Sequence, residues 1–98
     1  MGCRETELTV KRFQHAMRAA YYERDRERGL MGTFAWLVEE VGELAETLLK
    51  GDREAAMEEL ADVVAWTFSI ANLLGVDMEE ALRKKYGVDI ERVSASEC

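Results

Sequence analysis

The fold of this 98-residue sequence is decided by residues 36–52, WLVEEVGELAETLLKGD, and residues 58–74, EELADVVAWTFSIANLL. Apolar residues recur at helical spacing in the first stretch and lie nearly all round the second, and both stretches are predicted to be helices. Between them stand Gly51, a residue that ends helices, and Asp52, a residue that caps them. Helices with so short a connection are predicted to pack antiparallel.

Two further helices flank this pair. The first is predicted to begin at Thr6 or Thr9, either of which can cap it, and to end at Gly29. The segment 29–32, GLMG, is predicted to be a loop, with Thr33 capping the second helix. The third helix is then predicted to run to the glycine at position 75.

The fourth helix is predicted to start with a capping box formed by Asp77 and Glu80 and to stop at Gly87. The remaining residues 87–98, GVDIERVSASEC, are predicted to be an irregular or loosely docked tail. Four helices with short connections predict an all-α four-helix bundle.

The length of the chain allows one domain, residues 1–98, with a core of about 8–86 and a tail of 87–98. A chain of this size buries only about 60–65% of its unfolded surface, so its own core is thin. We therefore expect oligomerisation to complete the bundle, as a homodimer or as a tetramer made of two dimers.

The net charge is −7, from 13 Lys and Arg against 20 Asp and Glu. Excess negative charge disfavours nucleic acids and anionic membranes as partners, and a polyanion can bind only through a divalent cation. The N-terminus lacks the apolar core of a signal peptide, and the two cysteines, Cys3 and Cys98, cannot form a disulfide framework. These features predict a cytoplasmic protein.

The second helix divides into an apolar arc and an acidic arc. We expect the acidic arc to be either a solvated face or a cation site, because like charges three and four residues apart repel one another mildly. The apolar arc contains Phe34, Leu37, Val38, Val41, Leu44, Ala45, Leu48 and Leu49. The other arc contains Glu39, Glu40, Glu43, Glu46 and Lys50.

The third helix is apolar nearly all round from Leu60 to Leu74, which predicts burial in the bundle or under a second subunit. Asp62 stands within this stretch, and Glu59 precedes it by one turn. A carboxylate there needs either an arginine of the first helix or a metal ion. Carboxylates on two adjacent helices are oxygen ligands of the kind that Mg²⁺ prefers, with Mn²⁺ as a substitute.

The string Glu39-Glu40-Val41-Gly42-Glu43, followed after fifteen residues by Glu59-Leu60-Ala61-Asp62, resembles the EExxE…ExxD signature of the all-α nucleoside triphosphate pyrophosphohydrolases. The nearest resemblance is to the single-domain, MazG-like branch, over roughly residues 8–86. It implies Mg²⁺-dependent cleavage of a nucleoside triphosphate between the α and β phosphates, yielding the monophosphate and pyrophosphate. Removal of noncanonical or surplus nucleotides is the role that this activity suggests.

Within the resemblance, the metal ligands correspond to Glu40, Glu43, Glu59 and Asp62. Glu39 takes the first position of the motif, where it binds a further ion or orients the attacking water, so Glu39 and Glu40 are the catalytic candidates. The metal ions would neutralise the triphosphate and activate the water.

Four further residues are candidates for binding substrate. Basic residues near the end of the last helix bind phosphates in this family, and Lys84 and Lys85 stand there, although favourable interaction with the helix dipole also explains them. Trp36 and Gln14 can stack on a base or hydrogen-bond to it, although aromatic residues at helical spacing also form cores.

Two other functions remain open from the sequence. One is phosphoribosyl-ATP pyrophosphohydrolase activity in histidine biosynthesis, which uses a similar carboxylate pattern but a Lys-rich approach where this chain has Ala35-Trp36-Leu37-Val38. The other is a non-catalytic acidic helical dimerisation module, in which Asp62 would pair with an arginine.

Overall fold

A computed structural model describes residues 7–94, which form four helices and no strand, so the predicted all-α class is confirmed. The helices are α1 (Val10–Arg28), α2 (Leu30–Lys50), α3 (Arg53–Leu74) and α4 (Met78–Ser94). Thr6, Cys3 and Cys98 lie outside the described residues. No single helix in residues 7–94 is long and apolar enough to cross a membrane; α3 and α4 meet that test only as a pair bent by 109°.

The predicted helix ends around the central pair are confirmed. Thr9 caps α1 and Asp52 caps α3, each accepting a hydrogen bond at 3.1 Å from the backbone amide three residues further on. Gly51 and Gly75 end α2 and α3 in the left-handed conformation, with φ angles of 69° and 70°. These local signals are sufficient to bring α2 and α3 together as an antiparallel hairpin.

The junction of α1 and α2 differs from its prediction. Gly29 is the one residue between the two helices, and GLMG is not a loop, because α2 already begins at Leu30. Gly29 has φ 89° and ψ 164°, a conformation that an L side chain rarely adopts, and it redirects the chain within one residue. Thr33 is therefore not a helix cap; it lies inside α2 and is 0% exposed.

The end of α4 also differs from its prediction. Asp77 caps the helix as expected, accepting hydrogen bonds from the amides of Glu79 and Glu80 at 3.0 and 3.4 Å. The helix does not stop at Gly87, because the backbone bends at Tyr86 (φ −123°, ψ 16°) and then continues in helical form to Ser94. Of the two alternatives for the tail, the irregular one is therefore wrong over residues 87–94, and loose docking stays a prediction.

The packing of α2 against α3 divides the predicted apolar arc of α2 in two. The row that faces α3 is buried or half-buried and includes one acidic residue. This row is Thr33, Leu37, Glu40, Leu44 and Thr47. A second row, which we call the outer stripe of α2, is apolar but exposed. The outer stripe consists of Met31, Phe34, Val38, Val41 and Leu48.

The core of the single chain is small, as its length predicts. Among the described hydrophobic residues, only Ala56, Phe68 and Ala71 are buried, all on α3. The third helix is thus only partly covered, and Leu60 and Val64 on it are exposed.

Candidate active site

Three of the four predicted metal ligands meet where α2 packs against α3. Glu40 and Glu43 project from α2, and Glu59 projects from α3, with one carboxylate oxygen of each lying within 4.8 Å of the other two. We call these residues the carboxylate cluster. Glu40 and Glu59 are half-buried and Glu43 is exposed, so the cluster opens to solvent on one side.

The environment of Glu40 favours its protonated form. Burial raises the pKa of Glu40 from 4.5 to about 7, helped by a hydrogen bond with Glu59 and by the negative charges of Glu43 and Asp62. The Oε2 atoms of Glu40 and Glu59 are buried and have no hydrogen-bond partner in the described part of the chain. Unpartnered buried oxygens are unfavourable, so both helices hold acceptor atoms that a proton or a cation can satisfy.

The donor set of the carboxylate cluster fits a hard divalent cation. All three side chains are carboxylates, the donors that Mg²⁺ and Mn²⁺ prefer, and exposed Glu43 leaves one side of the cluster open to solvent. The three oxygens lie within 4.8 Å of one another, close enough for a single bound cation to contact all of them.

The fourth predicted ligand, Asp62, lies beside the carboxylate cluster rather than within it. Its side chain is exposed, and its charge contributes to the raised pKa of Glu40. The hypothesis of a non-catalytic dimerisation module requires an arginine partner for Asp62. Among residues 7–94 no arginine forms an ion pair with Asp62. Asp62 therefore remains available to a cation next to the cluster.

Asp62 also lines a groove between α1 and α3, which we call the α1–α3 groove. Its volume is about 920 Å³, within the range of small-molecule sites. Most of its wall is apolar, and its apolar side chains include Phe13, Met17, Tyr21, Leu60, Val64, Phe68 and Leu82. Charged side chains line it as well, and these are Arg24, Asp25, Arg28 and Asp62. The groove is thus a mainly apolar surface that also includes Asp62, which lies beside the carboxylate cluster.

Three other predicted site residues have the following positions. Glu39 is exposed on α2, next to Glu40 in sequence but outside the carboxylate cluster. Trp36 is 44% exposed and stacks on Trp66 of α3, with ring centroids 5.9 Å apart and planes 9° apart. Gln14 donates from Nε2 to the Asn72 side chain at 3.0 Å and to a backbone carbonyl at 2.7 Å, so its amide holds helices together.

Lys84 and Lys85, the predicted phosphate-binding pair, do not line the α1–α3 groove. Lys84 lies at a separate shallow depression near the start of α4, together with Lys11 and Arg83. The Lys85 ammonium lies 5.6 Å from the centre of the Tyr86 ring. Within one chain, the structure does not bring these lysines to the groove wall.

Arg24, Asp25 and Arg28 were not identified from the sequence. They belong to the charged run 23–28, ERDRER, which is typical of a solvated helix end. Asp25 is nevertheless only 3% exposed, and all three residues line the groove. Helical spacing could have identified the two arginines. Arg24 and Arg28 continue the row on α1 that starts with Phe13, Met17 and Tyr21.

Residues 29–95 match the family model of the MazG nucleotide pyrophosphohydrolase domain, which is more than half of the chain. The chain belongs to the MazG nucleotide pyrophosphohydrolase family. It is also 37% identical over 84 residues to a dATP/dGTP diphosphohydrolase of Cyanophage S-2L, covering 86% of this chain and 76% of that protein.

Membership of the MazG family confirms the resemblance found in the sequence and the assignment as a nucleotide pyrophosphohydrolase. Of the three functions that the sequence left open, it supports the hydrolysis of nucleoside triphosphates. The MazG match begins at Gly29 and includes α2 and α3, the helices that carry the carboxylate cluster.

Proposed function

We propose that this MazG pyrophosphohydrolase cleaves nucleoside triphosphates between the α and β phosphates in a Mg²⁺-dependent reaction, yielding the monophosphate and pyrophosphate. The observation that carries the proposal is the pair of unpartnered, buried Oε2 atoms of Glu40 and Glu59, one on each side of the helix interface. Mn²⁺ is expected to substitute, because it takes the same oxygen ligands.

The residues have distinct roles in this proposal. Glu40, Glu43 and Glu59, with Asp62 at the groove side, hold the cation and so bring a triphosphate to a chain of charge −7. When bound, the cation supplies Lewis acidity at the phosphoryl group and lowers the pKa of water. Glu39, adjacent and exposed, would orient the attacking water.

The nucleoside is proposed to lie in the α1–α3 groove. The groove is apolar, large enough for a nucleoside, and adjoins the carboxylates through Asp62. Because the cyanophage relative is named a dATP/dGTP diphosphohydrolase, purine deoxynucleoside triphosphates are the first substrates to test. Removal of surplus or noncanonical nucleotides is the cellular role that fits this chemistry.

A homodimer, or a tetramer made of two dimers, is proposed as the working form. Among the described hydrophobic residues only three are buried within one chain, so its own core is small and a partner subunit would enlarge it. The outer stripe of α2 is the surface proposed to be covered, because Val38 and Leu48 on it are 53% and 64% exposed.

The test is incubation of the protein with the eight common ribo- and deoxynucleoside triphosphates, in Mg²⁺, in Mn²⁺ and in EDTA. Products are separated by ion-exchange chromatography, and reaction in ¹⁸O-labelled water identifies the bond that is cleaved. We expect monophosphate and pyrophosphate in Mg²⁺, with no turnover in EDTA.

Two results would overturn the proposal. Release of orthophosphate together with the nucleoside diphosphate would exclude cleavage between the α and β phosphates. Undiminished turnover in EDTA, after the protein has been stripped of metal, would exclude the role assigned to the carboxylate cluster.

A further inference from the structure

Two arginines one helical turn apart, Arg24 and Arg28, line the α1 side of the α1–α3 groove. They are the only basic residues lining the groove in the described part of the chain. Asp62, which adjoins the carboxylate cluster, lines the same groove from α3. The groove therefore has positive charge on one wall and cation-binding oxygens beside the other.

Arg28 is held in place by several contacts. Its Nη1 donates to Asp25 Oδ1 at 3.0 Å and to Thr33 Oγ1 at 3.3 Å, and its guanidinium lies 5.0 Å from the centre of the Trp66 ring. The Asp25 side chain is 4% exposed and that of Arg28 is 25% exposed. A buried carboxylate thus fixes a guanidinium whose remaining exposed surface adjoins the groove.

Gly32 leaves room for the stem of Arg28. A Cβ atom at position 32 would lie 2.9 Å from Arg28 Cγ, closer than real contacts allow. The first turn of α2 therefore accommodates this arginine at two points, through the missing side chain of Gly32 and through the hydroxyl of Thr33.

Arg24 is less constrained. It forms no ion pair among residues 7–94, and its guanidinium lies 5.3 Å from the centre of the Tyr21 ring. Its neighbour Arg26, by contrast, is paired with Glu23 at 2.9 Å and does not line the groove. Two guanidiniums at positions i and i+4 repel each other, and a bound polyanion would relieve that repulsion.

We propose that Arg24 and Arg28 bind the phosphate oxygens of the substrate, so that the triphosphate lies between two arginines on α1 and a cation held by α2 and α3. The proposal rests on the proposed function, and it assigns to α1 the phosphate contacts that the sequence suggested for Lys84 and Lys85. Arg28 holds its guanidinium in a fixed position, whereas the less constrained side chain of Arg24 reorients to contact the phosphates when the substrate binds. Guanidinium groups suit this task because they bind phosphate through two parallel N–H groups.

The experiment compares Arg24→Gln and Arg28→Lys with the control Arg26→Gln, which removes the same charge from the same helix outside the groove. Arg28→Lys keeps the positive charge that faces Asp25 and so preserves the fold better than truncation. Binding of inorganic tripolyphosphate with Mg²⁺ is measured by calorimetry, and kcat and KM are measured for dATP and dGTP. Thermal unfolding establishes that each variant is folded.

We expect tripolyphosphate to bind about 10- to 150-fold more weakly to Arg24→Gln and Arg28→Lys, since a hydrogen bond to a charged group contributes about 1.5–3 kcal/mol. Arg26→Gln should remain within about twofold of the wild type, because it leaves those hydrogen bonds intact. Equal binding by Arg24→Gln and Arg26→Gln would overturn the inference.

The two proposals fail in different ways. A wild-type protein that turns over no nucleotide contradicts the proposed function, and tripolyphosphate binding still decides the role of the arginines. A wild-type protein that hydrolyses dATP or dGTP, with folded variants at positions 24 and 28 that keep their kcat/KM, leaves the function intact and removes the arginines from the site.

Discussion

The carboxylate of Glu40 on α2 faces that of Glu59 on α3, and each leaves one buried oxygen without a hydrogen-bond partner in the described chain. Both residues are half-buried and lie on the faces through which α2 and α3 pack together, so these two acids are part of the helix interface. Two like charges in such a position oppose each other unless a proton or a cation lies between them. The carboxylate cluster proposed to bind a cation is therefore part of the α2–α3 interface itself.

Loss of one carboxylate from the cluster should abolish turnover without unfolding the bundle. We expect Glu43→Gln, Glu59→Gln and Asp62→Asn each to lower kcat/KM at least about 100-fold, because a metal site that loses a charged ligand binds its ion more weakly. Pyrophosphate release is the assay, and thermal unfolding reports the fold. Glu46→Gln is the matched control, since Glu46 is an exposed acid on α2 outside the cluster. Near-full activity in any of the three cluster variants would show that this residue is not a ligand.

The metal-free protein should lose stability as the pH rises from about 4.5 to 7. The pKa of Glu40 is raised from 4.5 to about 7, so in this range the folded chain holds a proton that the unfolded chain has released. Stability falls with pH wherever the folded state binds more protons. Unfolding followed in EDTA between pH 4.5 and 8 measures the slope, which Glu40→Gln should flatten and Glu46→Gln should leave unchanged. Equal slopes for the wild type and Glu40→Gln would contradict the assignment.

The same pKa predicts the pH dependence of cation binding. A cation must displace the proton of Glu40, so Mg²⁺ should bind more tightly as the pH rises through about 7. The increase in melting temperature caused by Mg²⁺ should therefore be larger at pH 8 than at pH 6. An equal increase at both pH values would mean that Glu40 is not among the ligands.

Alanine should have opposite effects at two glycines of α2. At Gly42 nothing lies within 4 Å of an added Cβ, so Gly42→Ala should stabilise the helix by roughly 0.5–1 kcal/mol. At Gly32 the added Cβ meets Arg28 Cγ at 2.9 Å, so Gly32→Ala should be less stable than Gly42→Ala by about 1–3 kcal/mol. Chemical denaturation of both variants provides the measurement. Equal stabilisation by the two substitutions would show that Arg28 moves aside without cost.

Charges introduced on the outer stripe of α2 should prevent formation of the proposed oligomer. Val38→Arg and Leu48→Arg place a charge on exposed apolar positions of this stripe, and a charge is costly to bury in an interface. The molar mass from light scattering should fall to that of one chain. Ala19→Arg, on an exposed position of α1 outside the stripe, should leave the mass unchanged. A wild-type protein that is itself monomeric at about 100 μM would contradict the proposed dimer.

The sequence predicted the hairpin of α2 and α3 because its signals are local. Gly51, Asp52 and Gly75 act within one turn of their own positions, and the structure confirms all three. The spacing of Glu40, Glu43 and Glu59 also predicted that they meet, because helical periodicity and a short connection leave little freedom. Their roles as ligands remain predictions.

The errors came from residues whose roles depend on tertiary contacts. Thr33 follows a glycine-rich segment and so resembles a helix cap, whereas its hydroxyl accepts a hydrogen bond from Arg28 inside the fold. Gly87 resembles a helix stop, but it is not among the described glycines with positive φ, and α4 continues past it. The groove arginines were missed because a run of alternating charges does not show which of its members line a groove.

The contact between Arg28 and Thr33 has a geometric consequence for α2. Thr33 and Glu40 are seven residues apart, about two turns, so they lie on the same side of the helix. Holding Thr33 at the start of α2 therefore fixes the rotational phase of the helix and points Glu40 at α3. One residue inserted between them would rotate everything beyond it by about 100° and carry Glu40 and Glu43 away from Glu59. The length of this stretch is thus as important to the proposed catalytic site as the acids themselves.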